Sequence, residues 1–490
     1  MMGGNNMVNK SKLGSMNLVD FFMLGFGSMV GVGWSVAVNG WFASGGGPLT
    51  TLIAFFIGTL LMIPIGFCYA ELTPAMPVAG GAVAFAYKAF GTFPSFLSGW
   101  FIALAYITVL PWEAIYINDV LALMFPILKT GNPLYSIAGV PIYGKGLVIG
   151  IILSTMVIAL NWVGSKVAAK VQTYLTGLLA ITGGLIIIFA LFKANPANLQ
   201  PTYVNVGKGT HKSFFGGVVA IFAMAPFFLA GFDTIPQGVE EGGAKINYTN
   251  LGKVLVGCII AAGGFYCLII LSTGMAMPWQ EFVELKRPAI ALMFPVLYGD
   301  GFIGSCMYWV ALIAALAGLL TTWNGLYMAS ARLLLGMSRA RLIPAFFSTI
   351  HPKYGTPKGA NCFSAIATLI GPFIGMGVID PLTIVGATAF VIGWFAVALC
   401  AIRLRKTDPH MKRPFKMPGG IKTAGIGALV SGAIILSTFI PGLPGFMGNL
   451  GVSIFFIWIV LGLLFYFGSS KYRNAVSEEE RIASIFKLKK

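Results

Sequence analysis

The feature that most constrains this chain is a succession of long apolar runs. Twelve of them lie at about 18–43, 49–70, 94–125, 146–163, 167–192, 214–238, 252–277, 302–336, 360–379, 383–402, 424–441 and 450–468. A bilayer-spanning helix needs roughly 20 apolar residues, so each run is a candidate crossing. The rest of the composition agrees: 57% of the 490 residues are hydrophobic and 10% are charged, and the mean hydropathy is +0.86. A soluble chain this apolar would lack the polar residues to cover its surface. The expectation is an all-α polytopic membrane protein with 12 transmembrane helices. Residues 1–17 are polar and short, and the run that follows is long enough to span, so it reads as a retained helix and not a cleaved leader. The six cysteines fall in or beside apolar runs without metal-type spacing, and three histidines leave little room for a metal site or a histidine catalyst. No enzyme activity and no cofactor are expected.

The net charge of +17 would suggest nucleic acid in a soluble protein. Here its placement decides. With the N-terminus in the cytoplasm, every Lys and Arg falls on the cytoplasmic side except Lys129, Lys145, Lys193, Lys208, Lys212, Lys286 and Arg287. That asymmetry is the positive-inside pattern. It places both termini in the cytoplasm and the protein in the cytoplasmic membrane. The basic excess then sets topology and meets anionic lipid headgroups, with no nucleic-acid partner.

Two runs are unsuited to an unbroken helix. The first contains Gly25, Gly27, Gly31 and Gly33 within nine residues, and each glycine loosens a helix. The sixth contains Pro226, Gly231 and Pro236, and each proline removes a backbone donor. Glycines can also serve close helix packing. Set five crossings apart, however, the two interruptions occupy corresponding places in two halves of opposite orientation, which is the sequence pointer to a transporter binding site. The implied organisation is a cytoplasmic tail (1–17), a first inverted repeat (18–192), a second (214–402), two added helices (424–468) and a second cytoplasmic tail (469–490).

These residues carry a family likeness. Gly27-Ser28-Met29-Val30-Gly31-Val32-Gly33, Tyr69-Ala70-Glu71-Leu72 with Pro77 and Gly80-Gly81, Gly231-Phe232-Asp233 with Glu240-Glu241, and Asn324-Gly325 through His351-Pro352 to Pro357 occur in order on the right helices. The chain resembles the amino acid–polyamine–organocation (APC) transporter superfamily over most of its length. The resemblance implies a leucine-transporter-type fold of five plus five helices, with helices 1 and 6 broken and alternating access. It implies that backbone N–H groups of Val30, Gly31, Val32 and Gly33 hold a substrate carboxylate. Met29 and the stretch Phe227–Ala230 would receive the amine, with Phe227 covering the substrate. Gly231, Phe232 and Asp233 of the sixth-helix motif and Asn324 of the eighth complete the candidate substrate site. Independently, free N–H groups at a half-helix N-terminus suit an anion.

Among membrane-buried acids, Glu113 near the middle of the third run is the leading proton carrier, since a mid-bilayer charge costs ~3 kcal/mol on insertion scales. A contact to a cationic substrate and a structural hydrogen bond are its other readings. Asp233, in the sixth-helix break, could couple protons, contact the amine, or tie the break to nearby N–H groups. Glu71, Glu240 and Glu241 belong to helix ends and an inner gate. The chain departs from the family pattern at Leu179, where some members carry a lysine, at Val32, and at Arg339-Ala340-Arg341, where the family reads Arg-Asp-Gly. Thr321 and Thr322 could offer hydroxyls to sodium, but a proton is the expected coupling ion. The reading is an amino acid permease working by symport or exchange. An amine or polyamine permease is the alternative, and a substrate-sensing receptor is the rival of another class.

Overall fold

The structure is a computed structural model that describes residues 16–205, 213–243, 246–443 and 445–487. Lys10, Lys12, Lys208, Lys212, Lys245, Lys489 and Lys490, and most of the N-terminal tail, lie outside those residues. The chain is a multi-pass bundle. Its first half runs α1 (Leu18–Met29), α2 (Gly33–Val36), α3 (Val38–Gly45), α4 (Pro48–Ala75), α5 (Ala82–Phe90), α6 (Thr92–Met124), α7 (Gly144–Val163) and α8 (Ser165–Leu191). Next come α9 (Phe214–Leu229), α10 (Thr234–Gly238), α11 (Tyr248–Ala276), α12 (Trp279–Glu284), α13 (Ala289–Tyr298) and α14 (Phe302–Arg339). The remainder is α15 (Lys358–Ile374), α16 (Ile379–Thr407), α17 (Ile421–Phe439), α18 (Gly448–Gly468), α19 (Ser470–Asn474) and α20 (Glu478–Phe486).

Among the described residues, 11 helices are long and apolar enough to cross a membrane. The sequence expectation of twelve differs at the ninth run. Its helix, α15, has 17 residues because Gly375, at φ +60°, stops it before the run ends. The helix still reaches from one end of the bundle to the other. It starts beside α7, where Thr356 Oγ1 donates to the Trp162 carbonyl (3.0 Å). It finishes under a small hairpin, where Tyr135 Oη donates to the Phe373 carbonyl (2.7 Å).

That hairpin pairs β1 (Tyr135–Ile137) antiparallel with β2 (Val140–Ile142). Its two turn residues, Ala138 and Gly139, have φ of 48° and 79°, the mirror-image turn that matches strand twist. We refer to this end of the molecule as the hairpin end. The opposite end holds both described termini: the Met16 N–H donates to the Glu241 carbonyl (3.0 Å), and Lys487 Nζ lies 2.6 Å from Glu240.

Apolar side chains face outward as well as inward. Ile152, Met156, Ile181, Phe215, Leu429, Phe456 and Leu464 are exposed, as expected for helices whose outer surface meets hydrocarbon. The interior is closed by small residues. A β-carbon at Gly318 of α14 would lie 2.6 Å from the Gly31 carbonyl, and one at Gly371 of α15 would lie 2.6 Å from the Pro111 carbonyl. Close backbone approach of this kind lets van der Waals packing hold helices together where lipid gives no hydrophobic drive. Trp100 of α6 and Trp458 of α18 stack at 4.5 Å, and each indole N–H donates to the other's carbonyl.

Candidate functional site

The first apolar run breaks where its glycines cluster. α1 ends at Met29, Val30 leaves helical geometry at ψ 79°, and the chain resumes as α2 at Gly33, continuing into α3 after the single turn residue Ala37. The Val30 N–H still closes α1 on the Phe26 carbonyl (2.8 Å), and the Val32 carbonyl opens the next half-helix by accepting from Ser35 and Val36. Gly31 lies between them. The sixth run breaks at Ala230–Asp233: Ala230 is extended, Gly231 sits at φ +129°, and α10 resumes at Thr234.

The two breaks touch. A β-carbon on Gly231 would lie 2.5 Å from the Ser28 carbonyl carbon and 2.6 Å from the Met29 nitrogen, so only glycine fits this crossing. Beside it is a small cavity of about 20 Å³, lined by Ser28, Met29, Gly31, Gly33, Val109, Trp112, Glu113, Phe227, Phe228, Tyr266, Thr322 and Leu326. That is room for about one water molecule. The walls press on the backbone at the break. A β-carbon at Gly31 would come within 2.7 Å of Thr322 Oγ1 and 3.2 Å of Glu113 Oε1, and one at Gly33 within 2.5 Å of the Phe228 ring.

Of the sequence-derived candidates, the structure brings Met29, Gly31, Gly33, Phe227 and Glu113 to this cavity. Glu113 is buried, and its Oε2 has no hydrogen-bond partner among the described residues. Val30, Val32, Ala230 and Gly231 shape the breaks without lining the space. Phe232 turns away, its ring against Tyr69 (5.4 Å) and Trp394 (5.6 Å). Asp233 is spent on the break: Oδ1 accepts from the Gly231 N–H (3.1 Å) and Oδ2 from the Tyr106 hydroxyl (2.9 Å). Asn324 faces the fourth and fifth crossings, donating to Gln172 Oε1 (2.8 Å) and accepting from Asn161 (3.0 Å). Thr322 Oγ1 donates to the Gly27 carbonyl (3.1 Å) and Thr321 Oγ1 to the Gly318 carbonyl (2.9 Å).

Sequence reasoning missed Tyr266 and Trp112, and named Phe228 only within the Phe227–Ala230 stretch. Tyr266 of α11 donates its hydroxyl to the Met29 carbonyl (3.1 Å). The available signal was a phenol near the middle of an apolar run, where burial demands a partner. Trp112 and Phe228 were visible as neighbours of Glu113 and Phe227, but their role comes from packing. They separate the cavity from a second space of about 390 Å³ toward the hairpin end, which both also line together with Trp41, Tyr116, Arg287 and Asp380. Trp112 Nε1 donates to Thr383 Oγ1 (3.0 Å), which fixes the partition to α16. On the other side of the cavity the bundle runs to the termini end. It ends in ion pairs of Glu241 with Arg332, Glu240 with Arg339, and Glu71 with Arg405 and Arg413.

Comparison with known proteins now decides the family. A family model described as "Amino acid permease" matches residues 16–466. The chain belongs to the amino acid permease family. Across 96% of its length the permease is 25% identical to a branched-chain amino acid permease of Bacillus subtilis, BcaP, covering 95% of that protein. It is 26% identical to the methylthioribose transporter of the same organism, with 96% of each chain covered. It is 24% identical to the aspartate-proton symporter of B. subtilis over 83% of this chain and 75% of that one. These relatives place the permease in the APC superfamily of small-molecule transporters, as the motifs implied.

Proposed function

We propose that this permease carries an amino acid across the cytoplasmic membrane by alternating access, coupled to protons by symport or working as an exchanger. The observation that carries the proposal is the contact of two broken helices around a small cavity, with Gly31, Gly33 and a carboxyl whose Oε2 has no partner among the described residues on its wall. The Val30 N–H is taken by the Phe26 carbonyl, but those of Gly31, Val32 and Gly33 stand at the start of a half-helix, which favours a carboxylate. The Met29 carbonyl and those of Phe227–Ala230 end the other half-helices and favour an ammonium. An amino-acid zwitterion presents both charges at that spacing, and Phe227 and Phe228 would cover its apolar part.

In this reading α15 counts as a crossing, giving twelve. An even number agrees with both described termini lying at one end. Residues 18–192 and 214–402 are the inverted repeats, and 424–468 are the added pair. The positive-inside pattern puts the termini end in the cytoplasm. The structure is then a form facing outward: one aromatic partition separates the cavity from the outer vestibule, while ion pairs of Glu71, Glu240 and Glu241 lie on the inner side. Glu113 is the proton carrier, since its carboxyl is buried on the cavity wall and its Oε2 has no partner among the described residues. Asp233 ties the sixth-helix break. The scheme takes a proton, not sodium, as the coupling ion. One relative is named a proton symporter, which agrees.

Purified permease reconstituted in proteoliposomes should accumulate at least one amino acid when the outside is acidified, and a thermal-shift screen should find the same compound. An amine permease is the second reading, favoured by the free Glu113 carboxylate. Amines lacking a carboxylate should compete poorly with the bound amino acid; strong competition by them would favour that second reading. Binding without any accumulation or exchange would point to a sensor and overturn both.

A further inference from the structure

We propose that the C-terminal helix α20 is a latch that holds the termini end of the permease closed. The helix is built to dock. Ser477 caps it by accepting from the Glu480 N–H (3.1 Å), and Glu478, Glu479 and Glu480 occupy its first turn, where negative charge suits the helix dipole. Ile485 is buried in the core, with Ile482 and Phe486 packed against it. Arg481 is buried too, donating to the Arg473 carbonyl (2.6 Å). Upstream, Arg341 donates to the Tyr472 carbonyl (2.9 Å) and lies 4.4 Å over the Tyr472 ring. The strand of contacts from 472 to 487 therefore crosses the end of α14, where Ser484 Oγ donates to the Arg339 carbonyl (3.2 Å).

What the helix reaches matters most. Lys487 Nζ lies 2.6 Å from Glu240 Oε2. Glu240 is a junction: it also accepts from the Ala79 N–H (2.9 Å) in the α4–α5 link and pairs with Arg339 (3.3 Å) at the end of α14. One carboxylate thus joins the segment after the sixth-helix break, the α4–α5 link, the eighth crossing and the C-terminal helix. A path from the central cavity to this end cannot open between α10 and α14 while Glu240 holds Arg339 and Lys487. Lys487 is 47% exposed, so its share of the closure is modest and reversible, as a regulatory contact requires. The latch rests on the alternating-access reading for its purpose, but its effect on the closed end is physical and separate.

The test uses the full chain in proteoliposomes, comparing wild type, Lys487→Glu, Lys487→Arg and deletion of residues 477–490. Hydrogen–deuterium exchange is read by mass spectrometry over residues 16–29, 76–81 and 234–243. The expected result is faster exchange in those segments for Lys487→Glu and for the deletion, about twofold to fivefold for the single variant, with wild-type rates for Lys487→Arg. Substrate counterflow should quicken by a similar factor. Unchanged exchange in both Lys487→Glu and the deletion, or an increase confined to residues 470–487, would overturn the latch. Because the exchange readout needs no substrate, failure of the latch and failure of the transport proposal are told apart.

Discussion

At the scale of single residues, the two buried acids of the site have separated roles. Asp233 and Glu113 are both buried, yet the Asp233 oxygens accept from Gly231 and Tyr106 while Glu113 Oε2 accepts from none of the described residues. A carboxylate occupied by two donors holds the backbone; a free one on a cavity wall can exchange a proton. Glu113→Gln should abolish uptake driven by a pH gradient and leave counterflow in place. Asp233→Asn, which keeps one acceptor for the Gly231 N–H, should retain pH-driven uptake with an unshifted pH profile. Equal loss of both activities in Glu113→Gln would assign that residue to binding or packing instead. Gly31→Leu should remove substrate binding in a thermal-shift assay, because Thr322 Oγ1 and Glu113 Oε1 already bound the space its side chain would need.

At the scale of elements, the breaks are held by close backbone contacts with neighbouring helices. The Gly31 carbonyl rests on Gly318 of α14, and Gly231 rests on the Ser28–Met29 peptide. Adding one methyl at Gly318 pushes on backbone, which cannot swing aside as a side chain can. Gly318→Ala should weaken substrate binding at least tenfold, an effect of about 1.4 kcal/mol or more. Gly257→Ala on α11, where a β-carbon meets nothing within 4 Å, should leave binding unchanged and stabilise the fold by up to about 1 kcal/mol. Thermal unfolding in detergent and equilibrium binding on the same preparations would check both. The breaks themselves were legible in the sequence, because glycine and proline act on the backbone where they stand. The rotation of the half-helices was not. Phe227 and Phe228, at the end of α9, face the cavity, while Phe232, in the break itself, packs against Tyr69 and Trp394.

At the scale of the whole molecule, charge is gathered at the end that holds the termini. Glu71 is fully buried and meets both Arg405 and Arg413, which joins the second crossing to the segment after α16. It also accepts from the Met417 N–H (2.8 Å). Removing one partner of a buried ion pair leaves the other uncompensated, so Glu71→Ala should destabilise the permease by about 3 kcal/mol. A lowered midpoint of thermal unfolding, with substrate affinity retained in the folded fraction, would show it. The same clustering predicts orientation: a fluorescent protein fused after Lys490 should mature and fluoresce, and alkaline phosphatase at that position should be inactive.

Hydropathy, glycine and proline placement, and the distribution of Lys and Arg are properties of local stretches. From these the sequence by itself determined that the chain crosses a membrane many times, where two crossings come apart, and that Glu113 is the unusual acid. Tertiary structure alone decided which side chains meet. It brought Tyr266 to the Met29 carbonyl, turned Asn324 toward Gln172 and Asn161, spent Asp233 on its own break, shortened α15 at Gly375, and laid α20 across Glu240. The physical reason is that a membrane helix shows its solvent its hydrophobicity but shows its neighbours its shape. The first is a sum over residues, and the second depends on rotation, register and partners hundreds of residues away.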